Sequence, residues 1–162
     1  MDRRCPDNKL VGSGVLREWK WIINARGFAN VIRSREDVVY GLVYEISSSD
    51  EASLDNWEGF PWAYTKHTIG IELESENNKG GSVQALVYID EIRTGEGVAW
   101  KEYVHRINLG INDAAARGLP GWYTDKYIRR FIPAEEEKEV LEAFKPEEEA
   151  HHHGATDVTP KL

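Results

Sequence analysis

The stretch SLDNWEGFPWAY, Ser53 to Tyr64, sets one carboxylate, Glu58, among Trp57, Phe60 and Trp62, with Gly59 and Pro61 breaking the backbone beyond it. Aromatic neighbours can hold a carboxylate partly out of water. That disfavours its charged form and moves its pKa from about 4.3 towards the range where a general base works. One carboxylate can take a proton from a nucleophile and then deliver it to a leaving group, so acid/base catalysis is the chemistry on offer. On this reading the tryptophans dry the site, while Gly59 and Pro61 turn the carboxylate inward. Isolated carboxylates are more often solvated, and from the residues alone a surface Glu58 is the commoner outcome.

Other groups offer less. Asp50 and Glu51 stand where acids complement a helix macrodipole. His67 and His105 have no Ser or Cys nucleophile at a recognisable spacing, and Cys5 has no activating neighbour. The HHH run at 151–153 lacks further metal ligands. VGSGV has neither the lysine nor the following helix of a phosphate loop. No metal or organic cofactor is expected.

The elements that must position Glu58 are short strands and a few helices. KLVGSGVL (Lys9–Leu16), WKWIINA (Trp19–Ala25), FANVIRS (Phe28–Ser34) and DVVYGLVYEI (Asp37–Ile46) are β-branched and aromatic runs, and the glycines in them mark bends or close backbone approaches. Ser48 followed by Glu51 predicts a capped helix that Gly59 and Pro61 stop, leaving Glu58 on its last turn. Ala63–Ser75 and Ser82–Asp90 predict two further strands joined through ENNKGG. Ala99–Gly118 has helical spacing, with Tyr103, Ile107 and Gly110 on one face, and Leu119–Pro133 predicts a second helix. The fold class is α+β: a curled sheet or small mixed β-barrel flanked by helices. The expected organisation is one domain over 1–133, an acidic helical extension over 134–146 and a disordered tail over 147–162.

The totals narrow the function. With 162 residues the chain can bury a single core, and its net charge of −8 argues against a nucleic-acid binder. Cys5 is the only cysteine, the first ten residues are charged, and no apolar run approaches the ~20 residues of a membrane span. A cytoplasmic protein acting away from membranes is expected.

VVYGLVYEI at 38–46, LDNWEGFPWAY at 54–64 and GLPGWY at 118–123, in this order, resemble the γ-glutamylcyclotransferase-like superfamily. The resemblance covers roughly Met1 to Pro133. It implies a small barrel with flanking helices, and an enzyme that cleaves a γ-glutamyl amine, γ-glutamyl amino acid or glutathione-related adduct to 5-oxoproline and the released amine. Glu58 matches the catalytic glutamate of the family, and Gly59 follows it in the same motif. Tyr64 matches an aromatic position beside the glutamate, and Tyr103 a tyrosine that helps hold the substrate. GFANV, from Gly27 through Ala29 to Val31, is similar to a glycine-led strand whose backbone lines the pocket. The sequence has no YGSN loop, which in relatives cradles the γ-glutamyl group. The departure predicts a missing first strand and an unpaired sheet edge that recruits another chain, giving a homodimer by strand exchange. It also opens the alternative of a catalytically silent protein that binds a ligand or partner.

Overall fold

The computed structural model describes residues 4–74 and 81–134. The predicted acidic extension, the tail, the HHH run and most of ENNKGG lie outside them. Two long strands open the chain, β1 (Lys9–Ile23) and β2 (Ala29–Glu45), each merging two runs that the sequence separates. Helix α1 (Ser48–Glu58), strands β3 (Thr65–Leu73) and β4 (Ser82–Ile89), helix α2 (Lys101–Ala115) and a short α3 (Gly121–Tyr123) follow. A π-helical turn, Thr124–Ile128, continues α3 and replaces the longer helix expected over Leu119–Pro133.

The strands make one antiparallel sheet in the order β2-β1-β3-β4. β1 and β3 touch in register only at Gly14↔Leu73 and Val15↔Glu72. A side chain at Gly14 would collide with Ile71 and Val43, so this crossing needs glycine. The continuity of β1 depends on an irregularity after Arg17, where Glu18 takes φ 63°. Leu16 and Trp19, three residues apart, thereby reach one cluster with Ile89 despite the two-residue period of a strand.

The sheet curls without closing, which corrects the expected barrel. Among the described residues β2 and β4 each pair on one side only. Inside the curl lies an apolar cleft of about 570 Å³, lined from all four strands and α1 by Leu16, Val39, Leu54, Ile71 and Val87 among others. The second core lies under the helices, where Ile23, Ile111, Tyr123, Tyr127 and Ile132 are buried together. Tyr103, Val104, Ile107 and Ala114 of α2 pack against it at helical spacing. Gly110, expected on that face, is exposed.

Candidate functional site

Glu58 ends α1. The helix starts at Ser47, whose side chain accepts from the Asp50 N–H while the Asp50 carboxylate accepts from the Ser47 N–H. The capping box therefore falls one residue before the predicted Ser48–Glu51 pair. Asp50, only 2% exposed, fits under the cap, and Glu51 reaches out to Lys66 at 2.7 Å. Gly59 ends the helix in the left-handed region at φ 66°, which is free of strain only for glycine, and its N–H returns to the carbonyls of Asp55 and Asn56. Gly59 thus sets the direction in which Glu58 leaves the helix. Asp55 is no partner for Glu58. It accepts from the Tyr88 hydroxyl at 2.7 Å and from Lys66 at 3.0 Å, which hold its pKa below the usual range.

The Glu58 side chain is 27% exposed, and burial raises its pKa against the opposing pull of Arg4 and Arg106. The expected direction holds, but the tryptophans do not cause it. Trp57 is 57% and Trp62 85% exposed, and Phe60 is also open to solvent. Adjacent residues on a helix point about 100° apart, so Trp57 cannot cover Glu58. It carries the Arg4 guanidinium 5.1 Å from its ring centroid, and Phe60 carries the Lys66 ammonium. Arg4 Nη1 donates to Glu58 Oε1 at 3.4 Å, a long contact that leaves the carboxylate room for another partner.

Tyr64 and Tyr103 converge on the backbone of Ala29. The Tyr64 hydroxyl donates to the Ala29 carbonyl at 2.9 Å, and the Ala29 N–H donates to the Tyr103 hydroxyl at 3.3 Å. Burial, then Tyr103 and Glu58, push the Tyr64 pKa up to about 12, and burial also raises Tyr103. Both phenols stay protonated at neutral pH. Tyr64 spends its proton on Ala29, whereas the Tyr103 proton has no acceptor among the described residues and is free to donate. Gly27 has a different task. At φ 84°, a Cβ there would run into the indole of Trp100, whose Nε1 donates to the Arg26 carbonyl at 2.7 Å. Of the expected site residues, Glu58, Tyr64, Tyr103 and Ala29 form one electrostatically coupled group, while Gly27 and Gly59 shape the backbone leading into it.

Sequence reasoning missed two sets of residues. Arg4 contacts Glu58, and the charges of Arg106 and Arg26 act on Glu58 and Tyr64 respectively; nothing in their spacing announces it. Asn24, Asn30 and Asp90 are buried beneath the group. Asn24 Nδ2 donates to Asp90 Oδ2 at 3.0 Å, and Asn30 exchanges two hydrogen bonds with the Asp90 backbone. Arg93 donates to both Asp90 oxygens. The network fixes Asn30, and hence its neighbour Ala29, against the end of β4. The strand residues INARGFAN carried the signal, since two asparagines inside apolar runs must find buried partners.

Residues 3–103 match the family described as "Gamma-glutamyl cyclotransferase, AIG2-like", and the chain belongs to that family. A solved structure named "Gamma-glutamyl cyclotransferase" is 20% identical, with 88% of each chain covered and a TM-score of 0.67. The crystal structure of an uncharacterized Homo sapiens protein, loc79017, is 21% identical, with a TM-score of 0.63 and coverage of 99% of this chain and 83% of that one. Both likenesses are of fold. No curated protein sequence matches the chain.

Proposed function

We propose that the protein is a cyclotransferase that converts a γ-glutamyl amine, γ-glutamyl amino acid or glutathione-related adduct into 5-oxoproline and a free amine, with Glu58 as acid and base. The observation that carries this reading is a half-buried carboxylate of raised pKa, placed beside the paired Tyr64 and Tyr103 hydroxyls in a chain of this family. The substrate's α-ammonium gives a proton to Glu58. The freed amine attacks the γ-carbonyl carbon and a carbon–nitrogen bond closes the five-membered ring; Glu58 returns its proton to the leaving nitrogen as that bond breaks, then takes the second proton of the ring nitrogen, which leaves the lactam N–H, and passes it to the departing amine. Both reacting groups belong to one molecule, so the site mainly selects the folded-back conformer. Tyr103, with its proton free, is positioned to donate to the developing oxyanion. Arg4 and Arg106 oppose the rise that burial imposes on the Glu58 pKa. No helix among the described residues is long and apolar enough to cross a membrane, and a cytoplasmic setting suits the single, buried Cys5. The test is 5-oxoproline release from γ-glutamyl-alanine and glutathione; silence across a γ-glutamyl panel, or an undiminished Glu58→Gln variant, overturns the reading.

A second reading rests on the outer strands β2 and β4, each paired on one side only among the described residues. A free strand edge is suited to an extended polypeptide, and a second copy exchanging a strand would give a homodimer. In that case the chain binds a partner whether or not it turns over substrate. A monomeric mass at micromolar concentration contradicts the dimer.

A further inference from the structure

We infer that Asp55 is a positioning residue for Glu58: it locks the last turn of α1 onto the β3–β4 pair and so fixes where the Glu58 carboxylate stands. The inference rests on the proposed role of Glu58 and adds a residue that acts through it rather than on the substrate.

Glu51, Asp55 and Glu58 follow one another at helical spacing along a single face of α1. Lys66 and Tyr88 stand opposite each other in register across β3 and β4, so their side chains leave the same face of the sheet. The Asp55 carboxylate meets both. Its Oδ1 accepts from the Tyr88 hydroxyl at 2.7 Å, and its Oδ2 accepts from Lys66 Nζ at 3.0 Å. The backbone of Asp55 is committed as well. Its carbonyl accepts the N–H groups of Gly59 and Phe60, the latter at 2.9 Å. One residue thus joins the helix exit to the sheet. Lys66 adds a hold on the far side of Glu58, because its ammonium lies 4.8 Å from the centroid of the Phe60 ring.

Tyr64 stands two residues before Lys66, and its hydroxyl is bound to the Ala29 carbonyl. The tie through Lys66 therefore sets the end of α1 relative to the strand entry that carries Tyr64. Glu58 itself has one long contact, with Arg4 at 3.4 Å, which leaves most of its placement to the backbone. Asp55 is the side chain that anchors this backbone, within one turn. Glu51 offers a contrast inside the same helix. It reaches the same Lys66 at 2.7 Å, but from a turn earlier and away from the helix exit.

The test sets Asp55→Asn and Tyr88→Phe, which break the clamp, against Glu51→Gln, which also takes an anion from Lys66 but leaves the clamp in place. With γ-glutamyl-alanine, Asp55→Asn should lower kcat about 10–100-fold, the scale of an ångström-sized misplacement, with KM within about twofold of wild type. Tyr88→Phe, which changes no charge, should lower kcat about 3–10-fold with the same steady KM. Glu51→Gln should keep the wild-type kcat. Titration of the Glu58 carboxyl, followed by NMR on carbon-13-labelled protein, reads the same placement without turnover. Its pKa should fall towards the ordinary glutamate value in Asp55→Asn and Tyr88→Phe, as the side chain moves into water, and hold in Glu51→Gln. If Asp55→Asn does not fold, Tyr88→Phe decides by both readouts. A wild type that releases no 5-oxoproline removes the cyclotransferase reading, and the titration then decides whether Asp55 places Glu58. A Glu58 titration unchanged in both clamp variants, or Glu51→Gln matching Asp55→Asn, overturns the inference.

Discussion

Two acidic regions, one at the end of α1 and one just past β4, could hardly be treated more differently. Asp90 is 1% exposed and saturated: its carboxylate takes bonds from Asn24, from the Arg93 guanidinium, and from the N–H groups of Ile92 and Arg93. Glu58 is 27% exposed, has one long contact with Arg4, and sits where burial makes its charge unfavourable. A saturated carboxylate gains nothing from a newcomer and serves as a fastener. An under-satisfied one can still exchange a proton or accept a ligand. Depth of burial alone singles out Asp90; the count of committed partners separates the two acids.

The comparison breaks first at Glu58. Glu58→Gln should lower 5-oxoproline release by about 10²–10⁴-fold, the usual worth of a positioned acid/base, while the far-ultraviolet circular dichroism stays unchanged. Asp90→Ala should act on stability, costing about 3–5 kcal/mol in urea unfolding because it strands the buried donors that face it. If Asp90→Ala is as stable as wild type, Asp90 is not the fastener described. Gly27→Ala should cost about 1–3 kcal/mol, since alanine is strained at this positive φ and must also push the Trp100 indole aside. Arg4→Gln removes a charge that lowers the Glu58 pKa, so the acidic limb of the kcat/KM profile should move to higher pH.

The smallest effect concerns linkage. The Glu58 pKa is raised in the folded state, so its ionisation favours unfolding; that cost is absent below the unfolded pKa and fully present above the folded one. Glu58→Gln should therefore melt no lower than wild type at neutral pH. The wild type should regain the difference as pH falls through the folded pKa. A marked loss of stability in Glu58→Gln at neutral pH would mean that the carboxylate is a structural partner.

Much of this contrast can be read from sequence on one side only. The α1 caps, the stop at Gly59 and the strands around Tyr64 are local, governed by residues within four of one another, and a pattern can find them. Placing Glu58 at a helix end was legible for that reason. Which groups surround it was not. Trp57 is adjacent in sequence and faces away, while Arg4 is 54 residues distant and in contact. The open sheet was hidden likewise, because four strands with barrel-like glycines do not reveal whether their outer edges meet. Asn24, Asn30 and Asp90 lie in three different segments, and only the packing of β4 against the β1–β2 turn brings them together.

The left-handed kink at Glu18 gives β1 an asymmetric tolerance to evolution. Replacing Glu18 by glycine relieves the backbone and leaves Leu16 and Trp19 where they are. Deleting it restores strict alternation and rotates everything after it by half a turn, exchanging inside for outside along the remainder of the strand. Point changes at this position are cheap, whereas a one-codon loss is a topological error for both cores at once.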